Sequence, residues 1–222
     1  MSFAELLARA QVLVEREGRA LLGICGPPAA GKSALADALG VALDERAVVV
    51  GMDGFHLAQR ELERLGRMER KGAPDTFDAA GYLALLARLR GHDDVTGVAA
   101  AEPRQAHTVY APEFRRDIEE PIANAIAVPP ECPLVITEGN YLLLDDPPWD
   151  GVRALLDEVW FIELPESERL ARLVRRHRSF GRTNAQAQAR AHCSDQANAD
   201  RITATAARAD LVITGTIILA PE

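Results

Sequence analysis

A glycine-rich segment near the N-terminus has the residue types and spacing of a phosphate-binding loop. Residues 26–33 read Gly-Pro-Pro-Ala-Ala-Gly-Lys-Ser, which fits the pattern G-x-x-x-x-G-K-[ST]. Glycines let the backbone curl around an anion, and the N–H groups that open the following helix point at the phosphates. The pattern predicts that Lys32 reaches the β- and γ-phosphates and that the Ser33 hydroxyl binds Mg²⁺. The expected nucleotide-contacting residues here are Gly26, Ala29, Ala30, Gly31, Lys32, Ser33 and Ala34.

Two acidic residues come at the ends of predicted buried strands. Asp53 follows the valine-rich run 47–51, and Glu138 ends the apolar run 134–137. Because α/β enzymes bind ligands at the carboxyl edge of the sheet, both side chains are expected at the site. Asp53 would accept the proton of a substrate hydroxyl or order Mg²⁺, and Glu138 would hold Mg²⁺ or contact the substrate. The competing interpretation is that each residue only caps a helix or turn.

An arginine-rich helix beyond the fourth predicted strand could form a lid. Residues from about 166 to 179 are expected to be helical, and an arginine cluster there can close over the phosphates and stabilise transition-state charge. Arg176 is the candidate for that catalytic contact, whereas Arg172 and Arg182 are candidates for binding the nucleotide. Most arginines of this helix are expected on a solvated face.

The elements that must position these residues alternate between short apolar strands and helices. Continuously apolar strands are typical of a parallel sheet that is covered on both faces. The sequence therefore predicts an α/β fold with a doubly wound, mostly parallel sheet flanked by helices, and a lid segment. We expect one domain over 1–222, with an acceptor-binding insertion at about 53–128 and the lid at about 166–190. A helix is also expected over 115–128, although Pro121 lies within it.

Composition excludes several function classes. The 222 residues include 25 Lys and Arg against 33 Asp and Glu, a formal net charge of −8, which argues against general nucleic-acid binding. No run approaches the ~18 apolar residues of a membrane span, and the charged N-terminus does not fit a signal peptide. Three scattered cysteines without metal-type spacing indicate reduced thiols, so we expect a cytoplasmic protein with no membrane partner. Whether the chain forms a homodimer is left open.

The two lysines of the chain also exclude a guanine-specific switch. A GTPase needs Asn-Lys-x-Asp to recognise guanine, but Lys32 follows Gly31 and Lys71 follows Arg70. Small-molecule phosphoryl transfer is therefore the leading hypothesis. The alternative is a nucleotide-binding regulatory ATPase module without a small-molecule acceptor.

Three further segments resemble one group of enzymes. Residues 52–56 (MDGFH), 70–78 (RKGAPDTFD) and 138–142 (EGNYL), together with the phosphate-binding loop, resemble the P-loop kinases that include phosphoribulokinase, uridine kinase and bacterial pantothenate kinase. The chain is most similar to the branch labelled nucleoside/nucleotide kinase or putative fructose-transport-system kinase. This resemblance implies ATP and Mg²⁺ as cofactors, an alcohol as acceptor, and Asp53 as the base or metal partner. Residues 110–117 resemble the family's acceptor segment, but Arg115 stands where many relatives have an acidic residue.

The sequence does not identify the acceptor, which would be a pantothenate-, nucleoside- or sugar-like metabolite. Cations such as Lys71 and Arg116, with Arg67 and Arg70, would suit a phosphorylated acceptor. Aromatic rings would suit a nucleoside, and those available are Phe55, Phe77, Tyr82 and Tyr110. The candidate acceptor-binding residues are His56, Arg70, Lys71, Tyr110, Arg116, Asn140 and Tyr141.

Overall fold

The computed structural model describes residues 1–91, 107–181 and 183–216. Within these ranges the α-helices are α1 (Phe3–Val14), α2 (Lys32–Leu43), α3 (Gln59–Arg64), α4 (Ala79–Leu89), α5 (Glu166–Ser179), α6 (Asn184–His192) and α7 (Ser194–Thr203). The strands are β1 (Ala20–Cys25), β2 (Ala47–Gly51), β3 (Val109–Arg115), β4 (Glu120–Val128), β5 (Leu134–Gly139), β6 (Glu158–Glu163) and β7 (Leu211–Thr214). No described helix has the length and apolar character needed to cross a bilayer.

Five strands form the parallel sheet that the apolar runs predict. Their order is β2-β5-β1-β6-β7, and every neighbouring pair is parallel. The central strands β1 and β5 are buried along their whole length, because helices cover both faces of the sheet. The predicted α/β fold is therefore confirmed.

The two faces of the sheet bury two separate apolar clusters. Neighbouring β1 residues point in opposite directions, so Leu21 packs in one cluster and Leu22 in the other. The cluster of Leu22 also contains residues of α1 and α2, such as Leu6 and Leu35. The cluster of Leu21 contains α4 residues. This packing fixes α2 on one face of the sheet. The loop before α2 is thereby held at the carboxyl edge of the sheet.

The prediction of a helix over 115–128 is wrong, because this segment is half of an antiparallel hairpin. β4 pairs with β3 from Val109 opposite Val128 to Arg115 opposite Glu120. Pro121 cannot donate an intrahelical hydrogen bond, whereas a strand outside the main sheet tolerates it. The alanine-rich composition favoured a helix locally, but pairing with a distant partner strand decides the structure.

The hairpin packs on the turn that carries Asp53. A Cβ atom on Gly54 would lie 2.5 Å from the carbonyl oxygen of Pro112 in β3, so glycine is needed for this close approach. The ladder between the two strands is irregular between Ala111 and Glu113, on either side of that proline. The hairpin therefore forms one wall of the space in front of Asp53.

Candidate active site

The phosphate-binding loop connects β1 to α2 at the carboxyl edge of the sheet. Gly26 has φ 151° and Gly31 has φ 107°, which are conformations that L side chains rarely adopt. No side chain caps the N-terminus of α2, so its first N–H groups, which lack intrahelical partners, are available to an anion. The N–H group of Ala30 instead donates to the Pro27 carbonyl at 3.1 Å within the loop. The local geometry is that of an anion cradle.

Lys32 is held inside this loop. Its side chain is buried, and Nζ donates to the carbonyl oxygen of Pro27 at 3.1 Å and to Oδ1 of Asn140 at 2.7 Å. Burial lowers the pKa of Lys32, while the negative charge of Glu138 acts in the opposite direction. Within the described residues, the hydrogen-bond acceptors of this desolvated ammonium are these two neutral oxygens, so it can also pair with a phosphate.

Strand pairing brings the two predicted carboxylates together. Gly51, at the end of β2, pairs with Glu138 in β5, and Asp53 follows two residues later. The Ser33 hydroxyl donates to Oε1 of Glu138 at 3.0 Å. The Ser33 hydroxyl of the phosphate-binding loop and the carboxylates of Asp53 and Glu138 therefore come together from three different elements.

The two carboxyl groups have opposite pKa shifts. Burial raises the pKa of Glu138, and the negative charge of Asp53 raises it further. Burial would also raise the pKa of Asp53, but the nearby charges of His56, Arg116 and Lys32 hold it below its ordinary value. Two neighbouring carboxylates of this kind favour a cation between them.

These oxygen donors fit Mg²⁺. The hydroxyl of Ser33 and the carboxylates of Asp53 and Glu138 are ligands of the type that this ion prefers. Among residues 1–91, 107–181 and 183–216, no group of three or more His, Cys, Asp or Glu side chains could hold a metal ion. The protein would thus provide few ligands, as is usual for Mg²⁺ that is shared with nucleotide phosphates.

A cavity of about 630 Å³ extends from the phosphate-binding loop past Asp53 to the hairpin and to helix α5. Its size is within the range of small-molecule sites, roughly 300–1,000 Å³. Most residues predicted from the sequence line this cavity. They are Ala29, Gly31, Lys32, Ser33, Ala34, Asp53, His56, Lys71, Arg116, Glu138, Asn140 and Arg176.

Three of the predicted acceptor residues do not line the cavity. Arg70 pairs with Asp75 at 2.6 Å, with its side chain half exposed. Tyr110 is 53% exposed on β3, because its neighbours Val109 and Ala111 take the buried side of the strand. Tyr141 is buried in the core, and its hydroxyl donates to the carbonyl oxygen of Gly72 at 2.5 Å. Through this hydrogen bond, Tyr141 supports the loop that carries Lys71 from the core side.

The predicted lid arginines are in different environments. Arg176 lines the cavity, and its positive charge lowers the pKa values of both Lys32 and Asp53. Arg172 instead pairs with Glu168 at 2.6 Å and donates to Thr216 at 3.1 Å, and it does not line the cavity. Arg182 lies outside the described residues.

Sequence reasoning missed the residues that connect the C-terminal helices to the acceptor side. Arg190 of α6 donates to the carbonyl oxygen of Lys71 at 3.0 Å, and Asn198 of α7 donates to that of Gly72 at 3.4 Å. Phe114 of β3, which lies within the acceptor segment 110–117 indicated by the sequence, also lines the cavity. Arg190 and Asn198 are more than 100 residues from their partners along the chain, so no local pattern indicates these contacts.

Comparison with known proteins identifies relatives that are named as kinases. No family model matches the chain. A putative uridine kinase of Schizosaccharomyces pombe is 34% identical over 185 residues, covering 79% of this chain and 74% of that protein. An ATP-dependent kinase-like protein of Aspergillus versicolor is 37% identical over 157 residues, covering 68% and 86%.

A solved structure also matches over nearly the whole fold. The crystal structure of a putative fructose transport system kinase from Silicibacter sp. TM1040 has a TM-score of 0.82 and 38% identity, and the match covers 96% of this chain and 99% of that chain. The TM-score shows that the two chains share the overall fold. The chain therefore belongs to the P-loop kinase superfamily that includes uridine kinase, phosphoribulokinase and bacterial pantothenate kinase.

Proposed function

We propose that the protein transfers the γ-phosphoryl group of ATP to a hydroxyl of a small metabolite. The observation that carries this proposal is the position of Asp53 in one continuous cavity. Asp53 lies between the phosphate-binding loop, with Lys32 and Ser33, and a second half that is lined by the hairpin and the Lys71 loop. A cavity that continues beyond the catalytic carboxylate has room for an acceptor as well as for phosphates.

Each residue has a definite task in this reaction. Bound ATP·Mg²⁺ would supply the phosphoryl group and neutralise phosphate charge. Lys32 would pair with the phosphates, while Ser33 and Glu138 would hold the ion. Asp53 accepts the proton of the acceptor hydroxyl. At the same time the hydroxyl oxygen bonds to the γ-phosphorus, and the bond between that phosphorus and the bridging oxygen breaks to release ADP. Arg176 stabilises the charge that develops on the transferred group.

The regulatory ATPase alternative makes no use of the second half of the cavity. His56, Lys71 and Arg116 line this half, and their side chains are 9%, 12% and 40% exposed. Polar side chains that line a concave space are typical of a ligand site. A module that only reports nucleotide state to a protein partner has no need of such a space.

The test is an acceptor screen. ADP release and thermal shift are measured with ATP·Mg²⁺ over pantothenate, nucleosides, pentoses and hexoses, and products are examined by mass spectrometry. We expect one acceptor to raise ADP release at least about tenfold and to gain one phosphoryl group. Lys32→Ala is the matched control, in which this acceptor-dependent rate disappears. A slow ATPase rate that no acceptor changes would support the regulatory module instead.

A further inference from the structure

Two cations on the acceptor side share one aromatic ring. The Nζ atom of Lys71 lies 5.1 Å from the ring centroid of Phe114, and Cζ of Arg116 lies 5.8 Å from the same centroid. Because both groups lie close to the same ring, the Lys71 ammonium and the Arg116 guanidinium are also near each other. Both cations line the cavity that contains Asp53.

The described partners leave both cations with unused hydrogen-bonding capacity. Lys71 donates to the carbonyl oxygen of Glu119 at 2.7 Å, and its other oxygen neighbour is a Glu119 carboxylate at 3.4 Å. The Lys71 side chain is 12% exposed, whereas that of Glu119 is 48% exposed on the hairpin turn. Glu119 thus pairs with Lys71 at the long end of the hydrogen-bond range, and the three donors of the ammonium leave capacity for a second anion.

Arg116 also uses only part of its hydrogen-bonding capacity. One of its terminal nitrogens donates to Oδ2 of Asp53 at 3.1 Å, which engages one of five guanidinium N–H donors. Within the described part of the chain, no other hydrogen bond or ion pair involves this side chain. The remaining donors are suited to two oxygens of one carboxylate or phosphate. Since Arg116 also touches Asp53, an anion bound here lies close to the catalytic carboxylate.

The aromatic rings that could hold a nucleobase are mostly covered. The His56 ring packs on Phe77 at 4.0 Å and on Phe114 at 4.8 Å. Phe55 packs on Tyr82, whose hydroxyl lies 2.7 Å from Thr137 Oγ1 in the core. Phe180, at the end of α5, is 52% exposed and lines the cavity. Stacking of a nucleobase would therefore fall on Phe180, on the lid.

We infer that the acceptor of the proposed kinase is a small hydroxylated anion, whose carboxylate or phosphate lies between Lys71 and Arg116 beside the Phe114 ring. This inference rests on the proposed function. The Asp53–Arg116 contact then sets the distance between the anionic group and the hydroxyl that is phosphorylated. The chain has a net charge of −8, so its overall electrostatic field repels anions. A local pair of cations is therefore important for attracting an anion to this part of the cavity.

Binding to the protein saturated with a non-hydrolysable ATP analogue and Mg²⁺ tests the inference by calorimetry. Pantothenate is compared with its neutral alcohol panthenol, ribose 5-phosphate with ribose, and uridine is the nucleoside probe. We expect at least one anion to bind at least about tenfold more tightly than its neutral counterpart, a difference that one desolvated ion pair can supply. The two pairs distinguish a carboxylate acceptor from a phosphorylated one.

Variants assign the effect to the two cations. Lys71→Met and Arg116→Gln should each weaken binding of that anion about tenfold or more. Arg64→Gln is the control, because Arg64 is 68% exposed and pairs with Glu61 outside the cavity. Equal binding of both members of each pair, or no binding of either anion, would overturn the inference. So would tight uridine binding that Phe180→Ala weakens and Lys71→Met leaves unchanged.

The outcomes also separate this inference from the proposed function. Anion binding that depends on Lys71, without transfer of phosphate to any bound anion, would support the anion site and contradict the kinase proposal. Phosphorylation of a neutral sugar or nucleoside, unaffected by Lys71→Met, would support the kinase and contradict the anion site.

Discussion

The Nζ atom of Lys32 donates a hydrogen bond of 2.7 Å to Oδ1 of Asn140, the residue two positions after Glu138. The sequence predicted Asn140 as a substrate contact, and the structure places its amide on the phosphate-binding lysine. Asn140 therefore helps to position the lysine, and it connects the end of β5 to the loop after β1.

We expect the stability effects of Asn140→Ala and Lys32→Ala to be coupled. Removing the amide leaves a buried ammonium with fewer acceptors, and a hydrogen bond to a charged group contributes about 1.5–3 kcal/mol. Asn140→Ala should therefore destabilise the wild type but have little effect in the Lys32→Ala background. Urea denaturation of the four proteins of the cycle measures this coupling, and additive effects would contradict it.

Asp53→Asn should reduce kcat far more than it weakens ATP·Mg²⁺ binding. The amide keeps the shape of the side chain but cannot accept the acceptor proton, so a loss of about a hundredfold in kcat is expected. Titration with a fluorescent ATP analogue gives the affinity, and the exposed Asp150→Asn serves as the control. If ATP·Mg²⁺ binding is lost instead, Asp53 is a metal ligand only.

Glu138→Gln should stabilise the Mg²⁺-free protein while removing Mg²⁺-dependent turnover. Because the pKa of Glu138 is raised in the folded protein, the folded state holds this proton more tightly than the unfolded state does. The wild type therefore loses stability as the pH rises from the ordinary glutamate pKa, about 4.3, through the raised value.

The corresponding measurement is the Tm of both proteins in EDTA from pH 4 to pH 8. The advantage of the variant should be small at pH 4, grow as the pH rises and then level off. Glu163→Gln, at the exposed end of β6, is the matched control and should show no such trend. A wild type that is more stable than Glu138→Gln at pH 8 would contradict the prediction.

Arg176→Gln should lower kcat by about a hundredfold or more, which is the loss expected when one donor that stabilises transition-state charge is removed. Arg175→Gln on the same helix should have little effect, because Arg175 is exposed and does not line the cavity. Steady-state kinetics of both variants with the identified acceptor makes the comparison. Equal losses for the two variants would indicate that helix α5 has been disturbed as a whole.

Lys71→Arg should raise the acceptor KM about tenfold, with the Tm and the ATP affinity nearly unchanged. A compact ammonium fits between the Glu119 carbonyl and the Phe114 ring, whereas a planar guanidinium needs a wider space. Arg64→Lys is the converse control on the surface. Kinetics equal to those of the wild type would remove Lys71 from the acceptor site.

The sequence predicted the parts of the site that depend on local order. The spacing of the phosphate-binding loop placed Lys32 and Ser33, and the rule that ligands bind at strand ends placed Asp53 and Glu138 at one edge of the sheet. Strand pairing between β2 and β5 then brought the two carboxylates together. These predictions need only the immediate neighbours of each residue and one general property of parallel sheets.

Contacts between distant segments could not be predicted in the same way. The alanines around Pro121 favoured a helix, yet their hydrogen bonds go to β3, a strand that local composition does not indicate. Tyr110 was selected for its chemistry, but the alternation of the strand turns it to solvent. The side chains of Arg190 and Asn198 act through backbone carbonyls, which leave no signature in the sequence.

The backbone of Lys71 and Gly72 is held by three side chains that come from outside residues 53–128, namely Arg190, Asn198 and Tyr141. A chimera that receives only this segment from another kinase would lose the partners that shape its loop. Acceptor preference would therefore not be inherited with the segment alone. Directed evolution toward an acceptor that needs a different path of this loop would require matched changes in α6 and α7, because Arg190 and Asn198 are placed for the present backbone.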